Sequence, residues 1–99
     1  MAQYMVEIRL PQDLPEAFIA RIPAQIECVN ELMTKRKIIS YTLNAERSML
    51  WTVVQASSEA QVMEIIGTFP LIRWMKPEVH ELMFHYESAS LLFPRFSLN

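Results

Sequence analysis

The segment Met49-Leu50-Trp51-Thr52-Val53-Val54-Gln55-Ala56 constrains this chain most. It lies between the polar run Asn44-Ala45-Glu46-Arg47-Ser48 and the helix-opening Ser57-Ser58-Glu59, and so reads as a strand that enters from a hairpin and leaves into a helix. Side chains alternate along a strand, which puts Met49, Trp51 and Val53 on one face and Leu50, Thr52, Val54 and Ala56 on the other. Both faces are largely apolar. A sheet covered by helices on one side alone presents polar side chains on the other, so the sheet built around this strand needs two covers.

The rest of the chain supplies the elements in order. Gln3 to Leu10 alternates, with Tyr4, Val6, Ile8 and Leu10 on one face and Met5, Glu7 and Arg9 on the other. Asp13 and Glu16 stand at capping-box spacing ahead of a first helix over about residues 15–35, in which Phe18, Ile22, Ile26, Val29 and Met33 form the apolar stripe. Pro23 removes a backbone donor and clashes with the preceding turn, so this helix either kinks near residues 19–23 or divides into two abutting helices. The basic run Thr34-Lys35-Arg36-Lys37 reads as a solvated helix end, where cations favour the negative pole of the dipole. Ile38–Leu43 is the second strand. Ser58 and Gln61 cap a second helix that turns Val62, Ile65, Ile66 and Phe69 inward and ends near Gly67. Beyond Pro70, an aromatic linker leads to a last strand over about Glu78–Tyr86. Glu78, His80, Leu82 and Phe84 are expected on its helix side, and Val79, Glu81, Met83 and His85 on its other side.

Strand, helix, strand, strand, helix, strand is an α+β chain of ferredoxin-like βαββαβ type, a four-stranded antiparallel sheet with two helices on one face. The second cover is then expected to be a second copy. The face carrying Met5, Trp51, Val53, Val79 and Met83 would meet its own equivalent in a dimeric α+β barrel, giving a homodimer or a higher homo-oligomer. Residues 1–87 form the domain. The tail 88–99, with Leu91, Leu92, Phe93 and Phe96 around Pro94, is either a frayed end or an arm laid on a neighbouring subunit.

Composition agrees with that second cover. A chain of 99 residues is a single domain that gains little margin from its own core. Its one cysteine, Cys28, allows no internal disulfide and lacks the spacing of a zinc site, so no metal is expected. Cys28 itself reads as a small packed side chain rather than a nucleophile. Hydrophobic residues make up 52% with only 1 glycine, against an ordinary ~45–50% that counts glycine as apolar. The excess suits a subunit interface. A net charge of -2 gives no footprint for nucleic acid, and RNA binding on the sheet would need basic and aromatic side chains interleaved. No apolar run approaches the roughly 18 residues of a membrane span, and no signal peptide is evident. Cytoplasmic residence, without nucleic-acid or membrane partners, is the expectation.

From Trp51 to His85 the sequence resembles the muconolactone isomerase family of the dimeric α+β barrel superfamily. The residues that carry the resemblance are Trp51-Thr52-Val53-Val54, the helix opener Ser58, Phe69-Pro70-Leu71, Trp74-Met75, and Glu78-Val79 with Leu82 and His85. In the hairpin, family isomerases have a Trp-Arg pair and a Gly where this chain has Thr42-Leu43 and Glu46. The resemblance implies a cofactor-independent isomerase that shifts a proton in a small lactone or carboxylate, in the catabolism of aromatic compounds. Such chemistry needs a base and donors for an enolate-like transition state. His80 and Glu78, two positions apart on one strand face, are the candidate catalytic pair. Tyr4, Tyr41, Trp74 and Phe84 are the candidate pocket residues, with Trp74 as a lid. His85 reads as a subunit contact, and Glu7, Arg9 and Glu81 as a cross-strand ion pair at the rim of the dimer. The alternative is a non-catalytic oligomeric domain that binds a small ligand or serves structurally.

Overall fold

The protein, described by a computed structural model over residues 1–88, has strands β1 (Ala2–Arg9), β2 (Ile38–Leu43), β3 (Met49–Ala56) and β4 (Lys76–Leu82). Its helices are α1 (Glu16–Ala20), α2 (Ile22–Thr34) and α3 (Glu59–Ile66), with a single 3-10 turn at Ile72–Trp74. The sheet order is β2-β3-β1-β4, and every neighbouring pair is antiparallel. This is the expected ferredoxin-like α+β arrangement. Tyr4, Val6 and Ile8 of β1 and Leu50, Val54 and Ala56 of β3 pack in one core with Phe18, Val29, Val62, Ile65, Ile66 and Phe69, so α1, α2 and α3 cover the same face.

The long first helix divides. Arg21 separates α1 from α2, and Pro23 falls in the first turn of α2, where its missing N–H costs no intrahelical bond. Of the two alternatives, the pair of abutting helices is the one found. Within α2 the buried stripe also differs from the expected one. Ile22, Gln25, Val29 and Leu32 face inward, whereas Ile26 and Met33, expected inside, are 54% and 38% exposed. Asp13 does not cap α1; Pro15 occupies the N-cap, with no side-chain bond to the helix. At the far end the Lys37 N–H reaches the Leu32 carbonyl (2.9 Å) and the Arg36 N–H that of Met33 (3.0 Å), a Schellman closure with Arg36 at φ 58. Capping of α3 follows the sequence: Ser58 accepts from the Gln61 N–H at 3.1 Å, and Gln61 reaches back to the Ser57 N–H.

Two local features decide which side chains face the helices. Between Ile38 and Ser40 the pairing of β2 with β3 slips by one residue. The bulge lets Ile38 enter the core and still puts Tyr41 and Leu43 on the helix side, opposite Thr52 and Leu50. The second feature is the register of β4, which reverses the expected facing of its side chains. Val79 pairs with Val6 and packs on the core, while Glu78 pairs with Glu7 and His80 with Met5 on the open face. β4 ends at Leu82, so Met83 and Phe84 lie beyond it, 96% and 69% exposed. The open face therefore carries Met5, Trp51 and Val53 as expected, but neither Val79 nor Met83. The tail assignment concerns residues that, apart from Ser88, lie outside those described. No helix among the described residues is long and apolar enough to cross a membrane.

Candidate ligand cavity

A cavity of about 300 Å³ opens between α1, α2 and the β2–β3 end of the sheet. This is the small end of the ~300–1,000 Å³ range usual for ligand pockets. Leu10 and Leu14 line it from the segment after β1, and Phe18, Ile22 and Ile26 from the helices. Tyr41 and Leu50 line it from the sheet, Leu43 borders its opening, and Leu71 and Met75 close one side. Among the described residues its polar members are few: Tyr41, Gln25 and Arg47.

Each polar group is held from a different element. Gln25, only 3% exposed, accepts from the Leu71 N–H at 3.2 Å and donates its amide to the Tyr41 oxygen at 3.1 Å. Tyr41 also sits edge-on to Phe69, with ring centroids 6.3 Å apart. Burial pushes the Tyr41 phenol up; the hydrogen bond from Gln25 offsets part of this, and the nearby Cys28 thiol adds to the rise. The phenol thus stays a proton donor beyond its ordinary range. Arg47 comes from the hairpin, at φ 61. Asn44 fixes that turn by accepting from the N–H groups of Ser48 (2.9 Å) and Met49 (3.1 Å) and donating to the Ser48 hydroxyl. Among the described residues no carboxylate pairs with Arg47.

The open face holds a second group of side chains. The Trp51 indole N–H donates to Glu7 at 3.1 Å, and His80 Nε2 lies 3.6 Å from Glu78. Glu7, Glu78 and His80 have potential ligand atoms within 4.8 Å of one another, the sole group of this kind among the described residues. With Glu78 and His80 side chains 66% and 49% exposed, the set is a solvated cross-strand group rather than an enclosed metal cage.

The pocket residues expected from the sequence part company here. Tyr41 lines the cavity. Tyr4 is buried on the same side of the sheet, opposite Val54 and Glu81 and away from the cavity lining. Burial, together with Glu81 and Glu59, raises the pKa of its phenol. Trp74 stands behind Phe18, edge to face at 5.5 Å, with the Arg21 and Arg73 guanidinium groups 5.3 and 5.1 Å from its ring. It is a packing partner of the cavity wall and not a lid. Phe84 lies outside the cavity lining and packs on Tyr86 instead. His80 and Glu78 are separated from the cavity by the sheet itself. Glu81 faces the Tyr4 side, so the expected grouping with Glu7 and Arg9 does not form. His85 bonds Glu87 at 3.1 Å beyond β4. Cys28 is half-buried, its thiol 3.7 Å from the Thr68 carbonyl, in keeping with a packing role.

Fold and cavity together define a class: a ferredoxin-like α+β domain with a mostly apolar cavity of small-molecule size between helices and sheet. The family follows from comparison with known proteins. The model of the muconolactone delta-isomerase family matches residues 3–88, and the chain belongs to that family. No curated protein matches it. Gln25 and Arg47 are the cavity groups that the sequence did not single out. Gln25 is a polar residue that falls outside the apolar stripe of Phe18, Ile22, Ile26, Val29 and Met33. Arg47 was read as part of a polar turn, although Asn44 four residues before Ser48 already marks a turn rigid enough to aim a side chain.

Proposed function

We propose that this chain is a cofactor-independent isomerase that shifts a proton in a small lactone or carboxylate bound in the helix–sheet cavity. The observation that carries this reading is the pair of polar residues Tyr41 and Arg47 in an otherwise largely apolar lining. Loss of a proton next to a carbonyl, taken up and returned by water at the open mouth of the cavity, moves charge onto the carbonyl oxygen. The Tyr41 O–H is the donor that meets that oxygen, and a neutral donor fixed in an apolar site stabilises developing charge better than mobile water does. Arg47 is the partner for a ligand carboxylate. It supplies from the turn the charge that Thr42-Leu43 does not.

Family membership supports the reaction class. A second reading, a non-catalytic ligand-binding domain, rests on one specific observation: among the described residues, no carboxylate or imidazole lines the cavity. Glu78 and His80 keep their proposed role as acid and base only for a ligand on the open face. Incubation with muconolactone in deuterated water decides between these readings. Solvent deuterium in recovered substrate or product, lost or strongly reduced in Tyr41→Phe and retained in His80→Ala, supports chemistry in the cavity. Loss in His80→Ala alone moves the chemistry to the open face. No exchange with this or other enol lactones, alongside saturable binding, establishes the non-catalytic reading.

The open face is the proposed contact with a second copy, forming a homodimer or a larger homo-oligomer. Met5 and Trp51, half-buried beside the fully buried Val53, give it an apolar centre, and the free thiol of Cys28 suits the cytoplasm, the proposed compartment.

A further inference from the structure

We infer that Gln25 acts as a positioning residue that fixes the polarity of the Tyr41 hydroxyl, so that this end of the cavity accepts a ligand only as a hydrogen-bond acceptor. The inference rests on the reading of the cavity as the ligand site and adds a specificity element to it.

A backbone N–H can only donate, so the Gln25 atom 3.2 Å from Leu71 N is the amide oxygen. That leaves the amide nitrogen facing Tyr41 at 3.1 Å. An amide N–H also can only donate, so it occupies a lone pair of the phenol oxygen. The Tyr41 proton must therefore point elsewhere, and none of the described residues accepts it. Tyr41 lines the cavity, where a carbonyl, lactone or carboxylate oxygen would complete the bond. Gln25 can hold this arrangement because it is 3% exposed and tied at both ends, to α2 through its own backbone and to the Leu71 segment through its oxygen. Solvent does not compete for the amide, and flipping it would set donor against donor at Leu71.

Gln25→Glu tests the inference through its own pH profile. An ionised carboxylate accepts both the Leu71 N–H and the Tyr41 O–H, which turns the phenol proton away from the cavity. A protonated carboxyl restores the original polarity, and burial raises the pKa of such a group into a measurable range. The probes are acetophenone and α-methylstyrene, which have the same shape and differ by a carbonyl oxygen against a methylene; affinities are followed by NMR titration. The ratio of the two affinities is expected to stay constant in the wild type between about pH 5 and about pH 9. It should fall roughly three- to tenfold in Tyr41→Phe at every pH, the loss of one hydrogen bond. In Gln25→Glu it should fall at the alkaline end and recover at the acid end. A ratio in Gln25→Glu that equals the wild type throughout overturns the inference while leaving the cavity as the binding site. Failure of both probes to bind the wild type overturns the underlying reading, and the inference with it. Should Gln25→Glu not fold, exchange of the Gln25 side-chain amide protons serves instead. Protection in the wild type that is lost in Tyr41→Phe supports the bond, and equal exchange in both proteins overturns it.

Discussion

At the scale of single residues, Tyr41 links stability and binding. Its pKa is raised in the folded protein, so the folded state holds the phenolic proton where the unfolded chain releases it. With fewer protons bound in the unfolded state, stability falls as pH rises through the range above the ordinary value of 10.0. Urea unfolding on both sides of that value should show a smaller alkaline loss in Tyr41→Phe than in the wild type, with a residual loss due to Tyr4, whose phenol is shifted in the same direction. At neutral pH the same variant leaves the Gln25 amide without its acceptor and should lose about 1 kcal/mol. Leu43 offers the opposite test. It borders the cavity and is 47% exposed, so Leu43→Trp can fill the opening without repacking the core. It should change stability by less than about 0.5 kcal/mol and abolish binding of acetophenone, as read by the same NMR titration.

Among the elements, α3 shows what local sequence can settle. Ser58, Gln61 and the inward positions Val62, Ile65 and Ile66 agree with one another, and the helix forms where they place it. Ser58→Ala removes an acceptor from the Gln61 N–H and should cost about 1 kcal/mol in thermal or urea unfolding. β4 and α2 show what local sequence leaves open. In β4 both alternating sets mix apolar and charged residues, so nothing short of its pairing with β1 decides which set turns inward. Slipping by one residue exchanges the faces. That exchange carried Glu78 and His80 away from the cavity. In α2 helical spacing allows two inward stripes, one through Ile26 and Met33 and one through Gln25 and Leu32, and the second is the one that turns inward. The cavity wall of Phe18, Ile22 and Tyr41 was legible because these residues are apolar or aromatic at the right periodicity, and Gln25 was not, because its burial depends on two partners distant in sequence, Tyr41 and Leu71.

For the molecule as a whole, the sheet has one face under the helices and one face on which the half-buried Met5 and Trp51 flank the fully buried Val53, with Glu7 and Glu78 directly opposite each other beside Trp51. Like charges in facing positions disfavour pairing of their strands. Here His80 and the Trp51 indole stand next to the two carboxylates and offset part of that cost. An isologous second copy is a partner that covers the apolar side chains of this face by symmetry. Sedimentation velocity over a range of concentrations should therefore show a dimer or larger assembly. Met5→Lys puts a charge at the centre of the contact while leaving the helix-side core untouched. It should shift the protein to monomers whose far-ultraviolet circular dichroism is unchanged, because within one chain the new ammonium lies near the carboxylates of Glu7 and Glu78. A wild-type protein that remains monomeric at high concentration would remove the second copy as the cover of this face, and an assembly indifferent to Met5→Lys would place the contact elsewhere.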